Sequence, residues 1–317
     1  MKILTCLGLF CFSLCLASAT PLPQEPPFVT CYLMGQLGNQ LFQVATTLAY
    51  AWDYGAVPLF PRLNDADYRL RENRDQFFFR LNASSLPRPH ASFFQGALDC
   101  GVENAEKIPF QRDLLLYGGF QSWKLFAHHK DELLEVFAPS EEVGAHLKER
   151  YSLLLEEKNT VAVHVRTFNS WLHHSKRHPF LGLEYYAKAM ALFPAEAIFV
   201  IFSDRIGWCK RYFPLLGRRC IFIEGNTAVQ DFHLMASLKH QIIGNSSFSW
   251  WAAYLNRNPH KIVVAPTSLM HPDLNPFPMT QPNDFYLPEW ILVSPDYRAP
   301  YPRDMTWYDT TTSLDGN

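Results

Sequence analysis

From residue 160 to residue 265, short apolar runs alternate with helix-length segments, and this alternation fixes the class of fold. Thr160 to Val165, Ala197 to Phe202, Cys220 to Ile223, Ile242 with Ile243, and Lys261 to Ala265 read as strands. Leu183 to Leu192, Gly207 to Phe213 and Val229 to Leu238 read as the helices between them. Strands spaced this way build a parallel sheet wound in βαβ units. Such sheets bind ligands beyond the carboxyl ends of their strands. His164 and Arg166, then Ser203 and Asp204, then Glu224, then Asn245 to Phe248 all stand there.

The stretch QIIGNSSFSWWAAYL, residues 241 to 255, concentrates the signal. It reads as a buried strand, a turn of small residues (Gly244, Asn245, Ser246, Ser247), and a helix whose apolar face begins at Phe248 and Trp251. A helix N-terminus carries unpaired N–H groups and partial positive charge, so with two serine hydroxyls beside it a phosphate can be held. The same serines also suit a simple N-cap. Arg166 on a neighbouring strand end adds what a diphosphate needs, a bidentate cation. Asp204 can accept from ribose hydroxyls or a base edge. Each residue has a structural alternative as well: a salt bridge for Arg166, a satisfied core position for His164, a helix cap for Asp204.

The first half opens on a second strand, turn and helix. Phe28 to Met34 reads as a strand running into Gly35-Gln36-Leu37-Gly38-Asn39-Gln40, and Leu41, Val44, Ala45 and Leu48 set the helical period that follows. The third glycine of a dinucleotide fingerprint is missing, and no Lys-Ser or Lys-Thr makes a P-loop. Gln36, Asn39 and Gln40 instead bring amides to the gap, which donate and accept at once, as sugar hydroxyls require. Residues 60 to 110 read as loops with short helices, and Asp65-Ala66-Asp67 as a solvated loop to which no metal is assigned. Leu114 to Tyr117 reads as a strand, Gly118 to Trp123 as a turn, and Lys124 to Phe137 and Glu141 to Leu155 as helices. A boundary falls at Glu157 to Asn159.

A chain of 317 residues accommodates two domains. With 48% hydrophobic and 18% charged residues it is globular. A net charge of -2 excludes bulk nucleic-acid binding, so any anion is held locally. Met1-Lys2, the apolar run Ile3 to Leu16 and Ala17-Ser18-Ala19 read as a signal peptide or an uncleaved anchor, residues 1–19, with membrane association through residues 3–16 as an option. A Pro-rich spacer, 20–27, follows. Cys31, Cys100, Cys209 and Cys220 remain after the leader, as buried thiols or as two disulfides with three possible pairings. The sequons at Asn82 and Asn245 matter only in a eukaryotic lumen, and Asn245, inside the proposed phosphate turn, is expected to be unmodified.

In order along the chain, GQLGNQLFQ (35–43), GGFQSWKLF (118–126), VAVHVR (161–166), FSDRIGWCK (202–210), DFHLMASLKHQIIGNSSFSWWAAYL (231–255), KIVVAP (261–266) and YLPEW (286–290) resemble the α-1,2-fucosyltransferases of glycosyltransferase family 11. The resemblance implies an α/β fold of GT-B type, two Rossmann-like domains facing a cleft, with an acceptor-side domain at 28–157, a nucleotide-sugar-binding domain at 158–295 and a tail at 296–317. It implies inverting transfer of L-fucose from GDP-fucose to a galactose-terminated glycan, at the 2-OH, with no metal and no further cofactor. By the same resemblance Arg166 neutralises the leaving diphosphate, Ser246, Ser247 and Phe248 form the phosphate turn with Asn245, and His164 and Asp204 lie near the nucleoside. Asn39 faces the reacting sugar, with Gln36, Gly38 and Gln40 on the acceptor side. One departure stands out: the family continues its arginine strand end as Arg-Arg-Gly-Asp-Tyr, whereas Arg166 is followed by Thr167, Phe168, Asn169 and Ser170. That departure opens a second reading, a catalytically silent nucleotide- or glycan-binding relative. No carboxylate is singled out as general base. The leader points to the secretory route and the Golgi, while bacterial relatives of the family work in the cytoplasm.

Overall fold

The computed structural model describes residues 25–85, 91–94, 107–167, 178–269 and 282–296. The leader, most of the spacer, Cys100, Phe168 to Arg177 and residues 297–317 lie outside the described residues.

The first half holds β1 (Phe28–Cys31), α1 (Leu37–Tyr54), β2 (Val57–Pro58), α2 (Leu70–Gln76), β3 (Ala91–Phe94), β4 (Leu114–Tyr117), α3 (Lys130–Val136) and α4 (Glu141–Glu156). Its four strands form a parallel sheet in the order β2-β1-β4-β3. The anticipated periodicity holds in α1, where Leu41, Val44, Ala45 and Leu48 are all buried. Three boundaries differ from the sequence reading. The first strand stops at Cys31 and α1 begins at Leu37, because Gly35 takes a left-handed turn (φ 73°) that starts the helix within two residues. β3 emerges from a region read as loop. The segment from Lys124 to Phe137 is two 3-10 turns and then α3, broken at Phe126 (φ -142°, ψ 0°), whose ring instead stacks on Trp251 at 5.1 Å.

The second half holds β5 (Thr160–Val165), α5 (Gly182–Met190), β6 (Ile198–Ser203), α6 (Ile206–Tyr212), β7 (Arg219–Phe222), α7 (Ala228–Ser237), β8 (His240–Ile242), α8 (Ser247–Tyr254), β9 (Val263–Pro266), α9 (Pro282–Phe285) and β10 (Ile291–Val293). The six-stranded sheet is parallel throughout, ordered β10-β9-β8-β5-β6-β7. β10 is a strand that the sequence reading lacked. Alternation along the strands sends Val161, Val163, Val165, Phe199 and Ile201 into one core and Ala162, Ile198, Val200 and Phe202 into the other, so helices cover both faces. The chain is thus α/β, with two parallel sheets in the manner of a GT-B fold.

The strand order reverses between β5 and β8 in the second sheet and between β1 and β4 in the first. These are the two topological switch points, where crevices open at strand ends. The halves are joined by a common core rather than separated along their whole length. α8, apolar on every side, is wedged against α1: Phe42 lies 4.6 Å from Trp250 and 5.0 Å from Trp251. The segment after α9 closes the junction, with Trp250 Nε1 donating to Phe285 O at 2.7 Å and Trp123 Nε1 to Tyr286 O at 3.2 Å.

Candidate active site

At the second switch point, β5 ends on His164 and Val165 and delivers Arg166 into the crevice. Arg166 Nη1 lies 3.0 Å from Asp204 Oδ2. The other carboxylate oxygen, Oδ1, accepts from the Thr167 amide at 3.0 Å and the Thr167 hydroxyl at 3.1 Å. Asp204, placed near the nucleoside by resemblance, is thus ion-paired with Arg166. Thr167, buried where the family has a second arginine, anchors that carboxylate. Ser203 stitches the same edge, donating to Val165 O at 2.8 Å and accepting from Arg205 N at 2.9 Å. Glu224 is exposed and pairs with Lys210, away from Arg166 and Asp204.

Beneath this edge α5 supplies two tyrosines that sequence reasoning missed. Tyr185 OH donates to Ile243 O at 2.7 Å and Tyr186 OH to His164 O at 3.2 Å, fixing the ends of β8 and β5 from below. His164 is buried and its Nδ1 has no hydrogen-bond partner among the described residues. Burial, with a smaller contribution from the Arg166 charge, pushes its pKa down to about 3, so the imidazole is neutral at physiological pH. Asn245 donates Nδ2 to Pro179 O at 2.8 Å, while its buried Oδ1 is likewise unpaired. These two buried polar atoms lie at one switch point. At the same edge of the sheet, Asp231 in the first turn of α7 has its carboxyl pushed up to about 6 by burial, against a hydrogen bond from Asn226 Nδ2 at 2.9 Å.

At the first switch point the polar groups are amides and nearly all are used. Gly38, Asn39 and Gln40, read as a loop, form the first turn of α1, with exposed Gln36 as N-cap and no side-chain cap bond. Gln40 points inward: Nε2 donates to Gly35 O at 2.7 Å and Tyr68 O at 3.0 Å, and Oε1 accepts from Asn73 at 2.8 Å. It is a buried bracket, not a residue facing the acceptor. Gln43, likewise unassigned from sequence, bridges Met34 N and Gly118 O, each at 3.0 Å. Arg62 pairs with both Asp65 (3.1 Å) and Asp67 (2.5 Å), so those carboxylates are neutralised by an arginine.

The two edges meet through α1 and α8. Asn39 Oδ1 accepts from Ser247 Oγ at 2.9 Å and from Gln121 Nε2 at 3.0 Å, which leaves its amide nitrogen as a donor with no acceptor among the described residues. Gln121 had no assigned role; its position after β4, facing β1 across the switch point, is the signal that could have found it. Gly38 lies so close that a Cβ there would sit 2.5 Å from both Phe248 N and Ser247 Oγ. Ser246 caps α8, its hydroxyl accepting from Phe248 N over a long 3.4 Å. Two helix N-termini therefore abut, and neither first turn carries an acidic residue. Their partial positive charges repel each other, and Arg166, ion-paired with Asp204, stands at the neighbouring strand end. Abutting helix N-termini of this kind suit an anion.

The profile of glycosyl transferase family 11 matches residues 98–294. The chain belongs to that family. Similar to this family 11 chain is an α-1,2-colitosyltransferase of Escherichia coli, 36% identical over 158 residues, 47% of this chain and 54% of that protein. The O-antigen biosynthesis glycosyltransferase WbnK, also of Escherichia coli, is 29% identical over 192 residues, covering 56% and 60%. Galactoside α-(1,2)-fucosyltransferase 2 of Rattus norvegicus is 26% identical over 299 residues, covering 83% and 76%. The match thus spans between about half and three fifths of the two bacterial relatives' own length. Among solved structures, NodZ α-1,6-fucosyltransferase soaked with GDP-fucose superposes with a TM-score of 0.49 at 15% identity, over 73% of this chain and 93% of that one.

Proposed function

We propose that this family 11 protein transfers L-fucose from GDP-fucose to a hydroxyl of a glycan, the 2-OH of a terminal galactose, with inversion and without a metal. The observation that carries the reading is the meeting of two uncapped-by-carboxylate helix N-termini beside Arg166. As the glycosidic bond to the diphosphate breaks, the fucosyl carbon develops oxocarbenium character and the leaving oxygen gains charge. Preformed donors at that oxygen lower the barrier, and a metal's role passes to Arg166 and the two helix ends. Asp204 holds the guanidinium, and Thr167 holds Asp204. His164 Nδ1 and Asn245 Oδ1 take hydrogen bonds from the nucleotide. Asn39, fixed by Gln121 and Ser247, offers its amide N–H to the reacting sugar. The reading is supported by the names of the relatives, α-1,2-fucosyltransferases among them. It includes entry to the secretory route through residues 1–19, which N-terminal sequencing of the mature protein tests.

A second reading concerns the donor. The 36% identical relative is named a colitosyltransferase, so a different deoxy sugar on the same diphosphate is a specific competitor. A panel of labelled nucleotide sugars offered with galactose-terminated acceptors decides between them. Transfer from GDP-fucose above the others supports the first reading. Saturable GDP binding with no turnover on any donor overturns both in favour of a silent binder.

A further inference from the structure

Asp53, His128 and His129 converge at the far end of α1 from the cleft. Asp53 lies fourteen residues from Asn39, about 21 Å along the helix at 1.5 Å per residue. Asp53 Oδ1 is 3.1 Å from His128 Nε2 and 3.0 Å from His129 Nε2, and these three atoms all lie within 4.8 Å of one another. Donor atoms around a tetrahedral zinc, with bonds near 2.0–2.1 Å, stand about 3.3 Å apart. We infer that Asp53, His128 and His129 form a binding site for a borderline divalent cation, Zn²⁺ above all, that clips the end of α1 to the 3-10 turn Ala127–His129.

Hydrogen-bond accounting accommodates a bound ion as well as it does an ion-pair network. His129 contacts a carboxylate at each ring nitrogen, Asp53 at Nε2 and Glu132 Oε1 at Nδ1, 3.1 Å away. A neutral imidazole has one N–H, so in the neutral ring one of those contacts sets a lone pair against a carboxylate, a conflict that either protonation of the ring or a bound ion removes. A cation between His129 Nε2 and Asp53 resolves the conflict and leaves Nδ1–H to donate to Glu132. That is the carboxylate-to-histidine-to-metal pattern of established sites. Two imidazoles and one carboxylate suit zinc rather than magnesium or calcium, and three protein ligands leave the fourth position for water. A cavity of about 270 Å³, lined by Thr46, Tyr50, Lys107 and Lys124 with Asp53 and His128, gives the ion a way in. One group competes: Lys107 Nζ lies 3.3 Å from Asp53 Oδ2, but its side chain is 59% exposed and can swing into solvent.

The test is calorimetric titration of the full chain, stripped with chelator, using Zn²⁺ and then Mg²⁺, with a thermal melt at each metal concentration. One equivalent of Zn²⁺ is expected to bind and raise the melting temperature, with no response to Mg²⁺. His128→Gln alters a half-exposed ligand without disturbing a core and should abolish that binding with transfer activity unchanged. Glu132→Gln should weaken it by about 10- to 100-fold. Lys107→Met should tighten it, whereas in a plain ion-pair network the same change only removes a partner of Asp53. No stoichiometric zinc in the wild type, or zinc binding that survives both His128→Gln and Asp53→Asn, overturns the assignment.

Discussion

The two switch points are built from opposite chemistry. Between β1 and β4 the polar groups are neutral amides, and Gln40, Gln43 and Gln121 spend their hydrogen bonds within the protein. Between β5 and β8 the edge carries Arg166 and two buried polar atoms without partners, His164 Nδ1 and Asn245 Oδ1. The first edge spends most of its amides internally, while the second carries a cation and two buried acceptors. In this protein the first presses Gly38 and Asn39 onto the second, so the binding edge is assembled by both halves.

Substitutions should separate the two edges sharply. Arg166→Ala is expected to have the largest effect on turnover, a loss on the order of 10²–10³ in kcat, as for removal of one donor to a developing anion. Its folding should be intact, because Arg166 is partly exposed and Asp204 keeps Thr167 as a donor. A steady-state assay with a parallel melt checks both halves of that statement. Gly38→Ala should lower activity and stability together. Its methyl meets backbone at Ser247 C (2.6 Å) and Phe248 N (2.5 Å), so α1 and α8 must part, at a cost of about 1–3 kcal/mol in denaturant unfolding.

Gln40→Ala belongs wholly to the first edge. It strips partners from Gly35 O, Tyr68 O and Asn73 Nδ2, and should cost about 1–3 kcal/mol of stability for buried groups left unpaired. Saturating activity of the folded fraction should change little. A large kcat loss with unchanged stability would mean that Gln40 faces substrate after all.

The effect that vanishes at neutral pH concerns protonation. His164 has a folded pKa of about 3, below the ordinary value of 6.5, so the unfolded chain binds the extra proton between those limits. Stability from this group is therefore full above about pH 6.5 and declines as pH falls toward 3, by about 1.4 kcal/mol per unit at most. Buried His233, lowered to about 4, acts in the same direction, and Asp231, raised to about 6, opposes it. The clean observable is the difference between wild type and His164→Gln: the variant's stability should depend less steeply on pH between 6.5 and 3, by about one proton. Identical slopes would place the imidazole in contact with water.

Much of this contrast was legible in the sequence because it follows from periodicity. The parallel second sheet, the strand-end positions of His164 and Arg166, and the serine-capped start of α8 are local patterns of apolar spacing and small residues. What escaped was set by distant partners. Gln40 reads as a cleft amide until Tyr68 and Asn73 fold over it, and no local pattern ties Asp204 to Thr167 and Arg166. β10 escaped because Ile291–Val293 is short, exposed in part, and defined by pairing with β9 rather than by pattern. Gln121 and the tyrosines of α5 act through long-range hydrogen bonds that no spacing announces.

The central claim is that two helix N-termini and Arg166 hold a diphosphate between the halves. Calorimetric titration with GDP and with guanosine, on wild type and Arg166→Ala, tests it most directly. The account predicts that GDP binds far more tightly than guanosine and that the difference shrinks at least tenfold in the folded variant. Equal affinity for GDP and guanosine in the wild type, or an unaltered preference in Arg166→Ala, would contradict it.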